Sequence, residues 1–286
     1  MLGGLDYHSL VTAVRRSVRI FGIQTADLAD GSVTGVKLAA NAAAPEASGR
    51  NFAGGTNSGT PNSKVDFTAD EVVLKTSGDS TVTLYGVSVT ADITVSGANG
   101  LDTGSEASDT WYYLWLIYNG TTVAGLLSTS ATAPTMPSGY TYKALVSAVR
   151  NNGSSNFVPY TQEGMTLDYS SSVSVLAGGT ATVETAISLL TTVPAIARQI
   201  KGSANAFVTG GASAGTDTVT FNVIASGANF QIPLQASASS TAYGSGQFTF
   251  PNVSRNIYYK HATGGTVAAQ QANLSISGFR LPGGGE

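Results

Sequence analysis

The sequence predicts an all-β protein: two β-sandwich or jelly-roll-like domains behind a short helical N-terminal anchor. Three observations lead there. Residues 111–118 (WYYLWLIY) are apolar at every position, so both faces of a strand would need cover, inside a sandwich or against another subunit. Further on, Val219, Phe221 and Val223 alternate with Thr218, Thr220 and Asn222, the period-2 pattern of a sheet with one wetter face. Between such runs lie 34 glycines with abundant Ser, Thr and Ala, a turn-rich composition with strands throughout.

Taken in order, residues 8–21 read as a short amphipathic helix. Val11, Val14, Val18 and Phe21 form a heptad-like seam, with Arg15, Arg16 and Arg19 elsewhere on the circumference. A strand is the alternative, since valines lower helix propensity. A basic amphipathic segment also suits a membrane surface or nucleic acid, but a packing helix is the simpler reading. In residues 23–40, Leu28, Val33 and Leu38 recur at five-residue spacing, which matches neither a regular helix nor a strand. Residues 1–45 are set apart as an N-terminal segment whose helix joins subunits or docks on a partner, and residues 46–62, rich in Ala, Gly, Ser and Asn, read as a linker.

A first β domain is expected over residues 63–168. Its candidate strands are 63–68, 71–76, 81–90 and 93–95, then the Trp strand, then 123–128 after the Asn119-Gly120 hairpin signal, then 140–150. Val82 and Leu84 are out of phase with Val87 and Val89, and Gly86 between them suggests a β-bulge that keeps all four on the core side. A second β domain, residues 169–286, is expected to hold strands near 180–189, 195–202, 216–225, 230–234, 246–250, 256–260 and 273–281.

Composition narrows the functional classes. Charged residues are 11% of the chain, against roughly 25% in an average soluble domain. Mean hydropathy is +0.10, yet no run approaches the ~18 apolar residues of a membrane span, so membrane insertion is not expected. Burial between subunits is the simplest use of so uncharged a surface, and a homotrimer is the expected assembly. A net charge of −3 leaves no electrostatic footprint for nucleic acid. The chain has no cysteine, and its two histidines, His8 and His261, lie at opposite ends. No nucleophile elbow, H-x-x-x-H pair or phosphate loop occurs, so neither catalysis nor a cofactor is expected. A carboxylate pair is the one catalytic route that 17 acidic residues leave open. Asp102, Glu106 and Asp109 are candidate calcium ligands, but they lack the register of a dedicated loop and read as a turn; no metal is expected. Sugars are recognised by aromatic faces with planar hydrogen-bonding groups, and Tyr243, Tyr258 and Tyr259 are the candidates, the last two pointing to opposite faces of one strand; tyrosines that pack over a sandwich edge are the simpler reading.

Two segments resemble bacteriophage proteins. Leu28-Ala-Asp-Gly-Ser-Val-Thr-Gly-Val-Lys-Leu38-Ala39 is similar to short L-x-x-G-S-V-T-x-x-K-L-A segments near the N-termini of phage tail fibres and related virion appendages. Gly100-Leu-Asp-Thr-Gly104, Thr110-Trp-Tyr112 and Pro134-x-x-Pro137-Ser-Gly-Tyr140, with basic Lys143, resemble a β domain recurrent in phage tail-fibre and virion proteins; the likeness spans roughly 66–167. The first resemblance implies a trimeric attachment segment with Leu28, Val33 and Leu38 facing a threefold axis. Together they imply a virion structural protein, a short fibre, spike or tail/collar appendage; the N-terminus lacks a basic-then-apolar signal pattern, so synthesis in the host cytoplasm is expected. Its implied partners are its own copies, other virion proteins of tail, portal/collar or capsid, and a host-surface glycan. A capsid decoration protein and a dedicated glycan-binding receptor-binding protein are the alternative readings.

Overall fold

The order of strands follows from where apolar residues must hide and where glycine lets two backbones approach. A computed structural model describes residues 47–78 and 80–283, all of them β-strand, turn or loop apart from one 3₁₀ turn at Ile224–Ser226. The attachment residues Val11, Val14, Val18, Phe21, Leu28, Val33 and Leu38, and the helix read over 8–21, lie outside the described residues.

The first half begins with β1 (Ser48–Arg50) and β2 (Ala53–Thr56), followed by β3 (Lys64–Lys75), β4 (Thr81–Asp92) and β5 (Gly100–Leu101). Then come β6 (Thr110–Tyr118), β7 (Val123–Ser128), β8 (Tyr142–Asn151) and β9 (Tyr160–Glu163). β3 pairs with β4 along one edge and with β2 and β1 along the other. β6 lies between β7 and β8, and the short β5 runs parallel to β7. β7 covers β4 face to face: a Cβ placed on Gly125 would lie 3.1 Å from Ala91. The doubly apolar strand is thus covered on both faces within its own chain, and Tyr112 to Ile117 are all buried.

Two expectations need correction here. The stretch read as linker contributes β1 and β2, with Phe52 between them buried edge-to-face against Phe67 at 5.3 Å. Its glycines serve close approach rather than flexibility: β2 is wedged between β3 and β9, and a Cβ on Gly54 would meet the Asp66 carbonyl at 2.6 Å. The segment expected as a strand at 93–95 is a turn. Asp92 Oδ1 accepts from the Thr94 amide (3.0 Å) and hydroxyl (2.7 Å), which bends the chain away from β3.

The second half comprises β10 (Thr166–Gly179), β11 (Thr185–Ser188), β12 (Gln199–Val223), β13 (Ala228–Ala236), β14 (Thr241–Pro251) and β15 (Asn256–Arg280). β12 and β15, each 25 residues long, pair antiparallel over nearly their whole length. Four segments expected as separate strands, 195–202, 216–225, 256–260 and 273–281, therefore coalesce into two. Both long strands bend near residues 210–215 and 265–267, where the register shifts and Gly265 adopts φ +68°. Beyond the bend β12 exchanges one edge partner, β14, for another, β13, and β15 exchanges β10 for β11. The two arms face each other in a sandwich-like arrangement. Cβ atoms on Gly244 and Gly246 of β14 would each lie 2.5 Å from a β13 side chain, Ile232 and Phe230 respectively, so glycine is what lets the arms close.

The boundary expected between residues 168 and 169 falls inside β10, which pairs with β9 on one edge and β15 on the other. The junction is further tied by Trp111 Nε1 donating to the Leu190 carbonyl (3.0 Å), Arg150 Nε to Thr191 (3.2 Å) and the Tyr169 hydroxyl to Thr192 (2.5 Å). Phe279 of β15 packs edge-on against Trp111 and Tyr169. All described strands belong to one hydrogen-bonded network within one compact unit.

Candidate functional site: an uncharged aromatic–amide face

Strand alternation decides which side chains of the second half reach solvent. Along β14 the even positions turn inward, ending in buried Phe248 and Phe250, so the odd positions face out. The same holds for odd positions of β12 before its bend and of β15 between 271 and 275. Register then sets these residues side by side. Phe207 is flanked by Tyr243 and Gln271; Asn205 by Ser245 and Asn273; Ser203 by Gln247 and Ser275. The array is about 10 Å across, from the usual strand spacing.

Its geometry is fixed by its own contacts. Tyr243 is 78% exposed and its ring lies 6.0 Å from that of half-buried Phe207. Asn273 is fixed on the β15 side of the middle row: its Oδ1 accepts from the Gly178 amide (2.8 Å) and its Nδ2 donates to Asn205 Oδ1 (2.9 Å). Asn205 is itself exposed, so its amide nitrogen is a donor accessible from solvent. At one end Lys201 Nζ pairs with Asp168 Oδ1 at 2.7 Å, so the charges there neutralise one another. No charged residue occurs between Lys201 and Asp217, between Asp217 and Arg255, or between His261 and Arg280.

The three tyrosines named from sequence separate in the fold. Tyr243 stands on this face. Tyr258 is half-buried on the outer side of the other arm, between Ala186 and Asn222, where Asn222 Nδ2 donates to Glu184 at 2.7 Å. Tyr259 is a core residue, 5% exposed and stacked on Phe221, which removes it from any contact set. Sequence reasoning missed Asn205, Phe207, Gln271 and Asn273. Long charge-free runs that still alternate apolar and polar were the signal that marks them.

The turn carboxylates are each occupied by a protein donor. Asp102 Oδ2 accepts from the Thr135 amide (2.9 Å), Glu106 from Asn151 Nδ2 (3.0 Å), and Asp109 from Arg150 (3.1 Å). Among the described residues no cluster of three or more His, Asp or Glu side chains is placed to hold a metal ion. His261 and Asp217 meet at 2.5 Å, but both side chains are fully buried between the arms. Burial lowers the Lys143 pKa from its ordinary value; its ammonium sits 5.7 Å from the Trp115 ring.

No family model and no curated protein matches the chain. A solved structure similar to it is the Bacillus thuringiensis Cry1Da tryptic core variant, at 7% identity and TM-score 0.23, covering 83% of this chain. The chain spans about half (52%) of that one, and so weak a likeness carries no inference.

Proposed function

We propose that the chain is a structural component of a bacteriophage virion, a short fibre, spike or tail/collar appendage. In this reading residues 1–45 are a helical, trimer-forming anchor, and the two β halves are sandwich-like units presented outward, where they bind rather than catalyse. The reading rests first on the resemblance of residues 28–39 and 100–143 to phage segments. One observation supports it beyond the sequence: the segments of the second resemblance interlock as scaffold. Asp102 of the Gly100–Gly104 loop accepts from Thr135 of the Pro134–Tyr140 turn, and that turn is closed by Tyr140 N donating to Pro137 O at 3.1 Å. Lys143, the basic position of the motif, lies over Trp115 of the strand that Thr110-Trp-Tyr112 begins. Residues spent on holding loops together suit a rigid appendage better than an active site.

The test is assembly. Removing residues 1–45 should leave a folded β unit that no longer joins the particle, while the full chain should scatter light as three times 29.0 kDa. Normal incorporation of the truncated chain would place the anchor elsewhere, and a full-chain mass of 29.0 kDa would remove the trimer. The exposed Tyr243 favours a host-adhesion role over capsid decoration within this class.

A further inference from the structure

We infer that the outward face of β14, β12 and β15, centred on Tyr243 and Phe207, binds a segment of an uncharged polysaccharide. The inference rests on the proposed adhesion role for its biological purpose only; the site stands on its own geometry. A tyrosine ring left 78% exposed keeps a large apolar surface in water, and cover from a flat apolar partner would be favourable. The C–H face of a pyranose is such a partner, and its hydroxyls project at the ring edge, where they need donors and acceptors in fixed places. Asn205 and Gln271 provide both beside the two rings, and the clamping of Asn273 by Gly178 and Asn205 means little side-chain freedom is lost when a ligand arrives.

Charge decides between ligand classes. A nucleic acid or an acidic polysaccharide needs cations, and the lysine that follows the array along β12, Lys201, is paired with Asp168. The complementary ligand is therefore neutral. Shape decides its size: the face is an open sheet surface rather than a cleft, which suits a run of sugar units and gives weak binding per site. Three copies on one appendage would convert weak sites into firm adhesion through effective concentration.

The experiment uses the full chain in native affinity gels cast with soluble neutral glucan, neutral galactomannan or polygalacturonate. Retardation in at least one neutral gel and none in polygalacturonate is expected. Tyr243→Ala should weaken that retardation about tenfold, the size of a lost hot-spot contact. Asn205→Asp should weaken it too, by placing a charge in the array, and Tyr258→Ala should leave it unchanged. Unchanged mobility in every neutral gel, retardation by polygalacturonate alone, or binding that survives Tyr243→Ala would overturn the site. So would light scattering that shows Tyr243→Ala dissociating the assembly, since the face would then be a contact between copies. Particle incorporation is read separately: a chain that binds the neutral polymer but never joins a virion sinks the appendage reading and leaves the site standing.

Discussion

Asp217 and His261 are the least expected pair of residues in the core. They sit on diagonal positions of β12 and β15, opposite Thr263 and Val219 respectively, with both side chains at 0% exposure. His261 Nδ1 faces Asp217 Oδ2 at 2.5 Å and Nε2 faces the Gly179 carbonyl at 3.1 Å, so the ring has an acceptor on each side. A carbonyl only accepts, so Nε2 is the donor to Gly179, and Nδ1 closes on the Asp217 carboxyl. The pair ties β10, β12 and β15 together where β10 leaves the sheet. Asp217→Ala strips a buried ring nitrogen of its partner and should cost about 3–5 kcal/mol, whereas replacing both residues with apolar ones of similar volume should cost far less. Denaturant unfolding of the two variants checks this; a loss under about 1 kcal/mol for Asp217→Ala would show the pair to be dispensable.

At the scale of the element, the β3–β4 hairpin shows how two strands can change face together. Sequence phase placed a bulge at Gly86, and the structure keeps Val82, Leu84, Val87 and Val89 on the core side as that reading required. The mechanism differs. Register is unbroken, with Ala69 opposite Val87 and Glu71 opposite Tyr85, so no extra residue is inserted. Instead both strands switch at one point: the buried positions of β3 pass from Val65, Phe67 and Ala69 to Val72 and Leu74. Gly86 takes φ +59° there, with no atom within 4 Å of where a Cβ would stand. The cost of Gly86→Ala is then backbone alone, about 1–2 kcal/mol, and Gly86→Asn should cost less because Asn tolerates the left-handed region. Urea midpoints of the two variants order them; equal losses would point to a hidden side-chain clash. The Asn119-Gly120 signal was likewise right in place and different in form. The loop spans 119–122, with Asn119 Oδ1 accepting from the amides of Thr121 (2.9 Å) and Thr122 (2.7 Å).

For the whole molecule, buried tyrosines govern alkaline stability. Burial is the leading cause that raises the pKa of Tyr112, Tyr113, Tyr160 and Tyr169, the last two furthest. Tyr160 is seated against the Ser147 hydroxyl at 2.8 Å, and Tyr169 at the junction of the halves. A phenol whose folded pKa is raised keeps its full contribution below the unfolded value near 10 and loses it as pH rises beyond. The chain should therefore unfold cooperatively above about pH 10, with tyrosinate absorbance rising together with loss of the β circular-dichroism signal. Gradual tyrosinate formation at constant β signal up to about pH 12 would mean these rings are not held as described.

Local pattern was enough to read the all-β class, the central Trp strand, the hairpin sites and the absence of a recognised catalytic motif in the sequence. Each depends on residues close in sequence, through alternation of faces and the conformational range of Asn and Gly. Tertiary structure alone decided the rest. That residues 46–62 join the sheet depends on glycines meeting strands far along the chain, and close approach leaves the same letters as flexibility. β12 and β15 run unbroken through Gly- and Thr-rich stretches because each satisfies the other's backbone, and no apolar alternation announces that. Which tyrosine faces solvent, and that Phe207 and Asn205 stand beside Tyr243, depend on cross-strand register, which brings together residues 36 positions apart in the chain, as Phe207 and Tyr243 are.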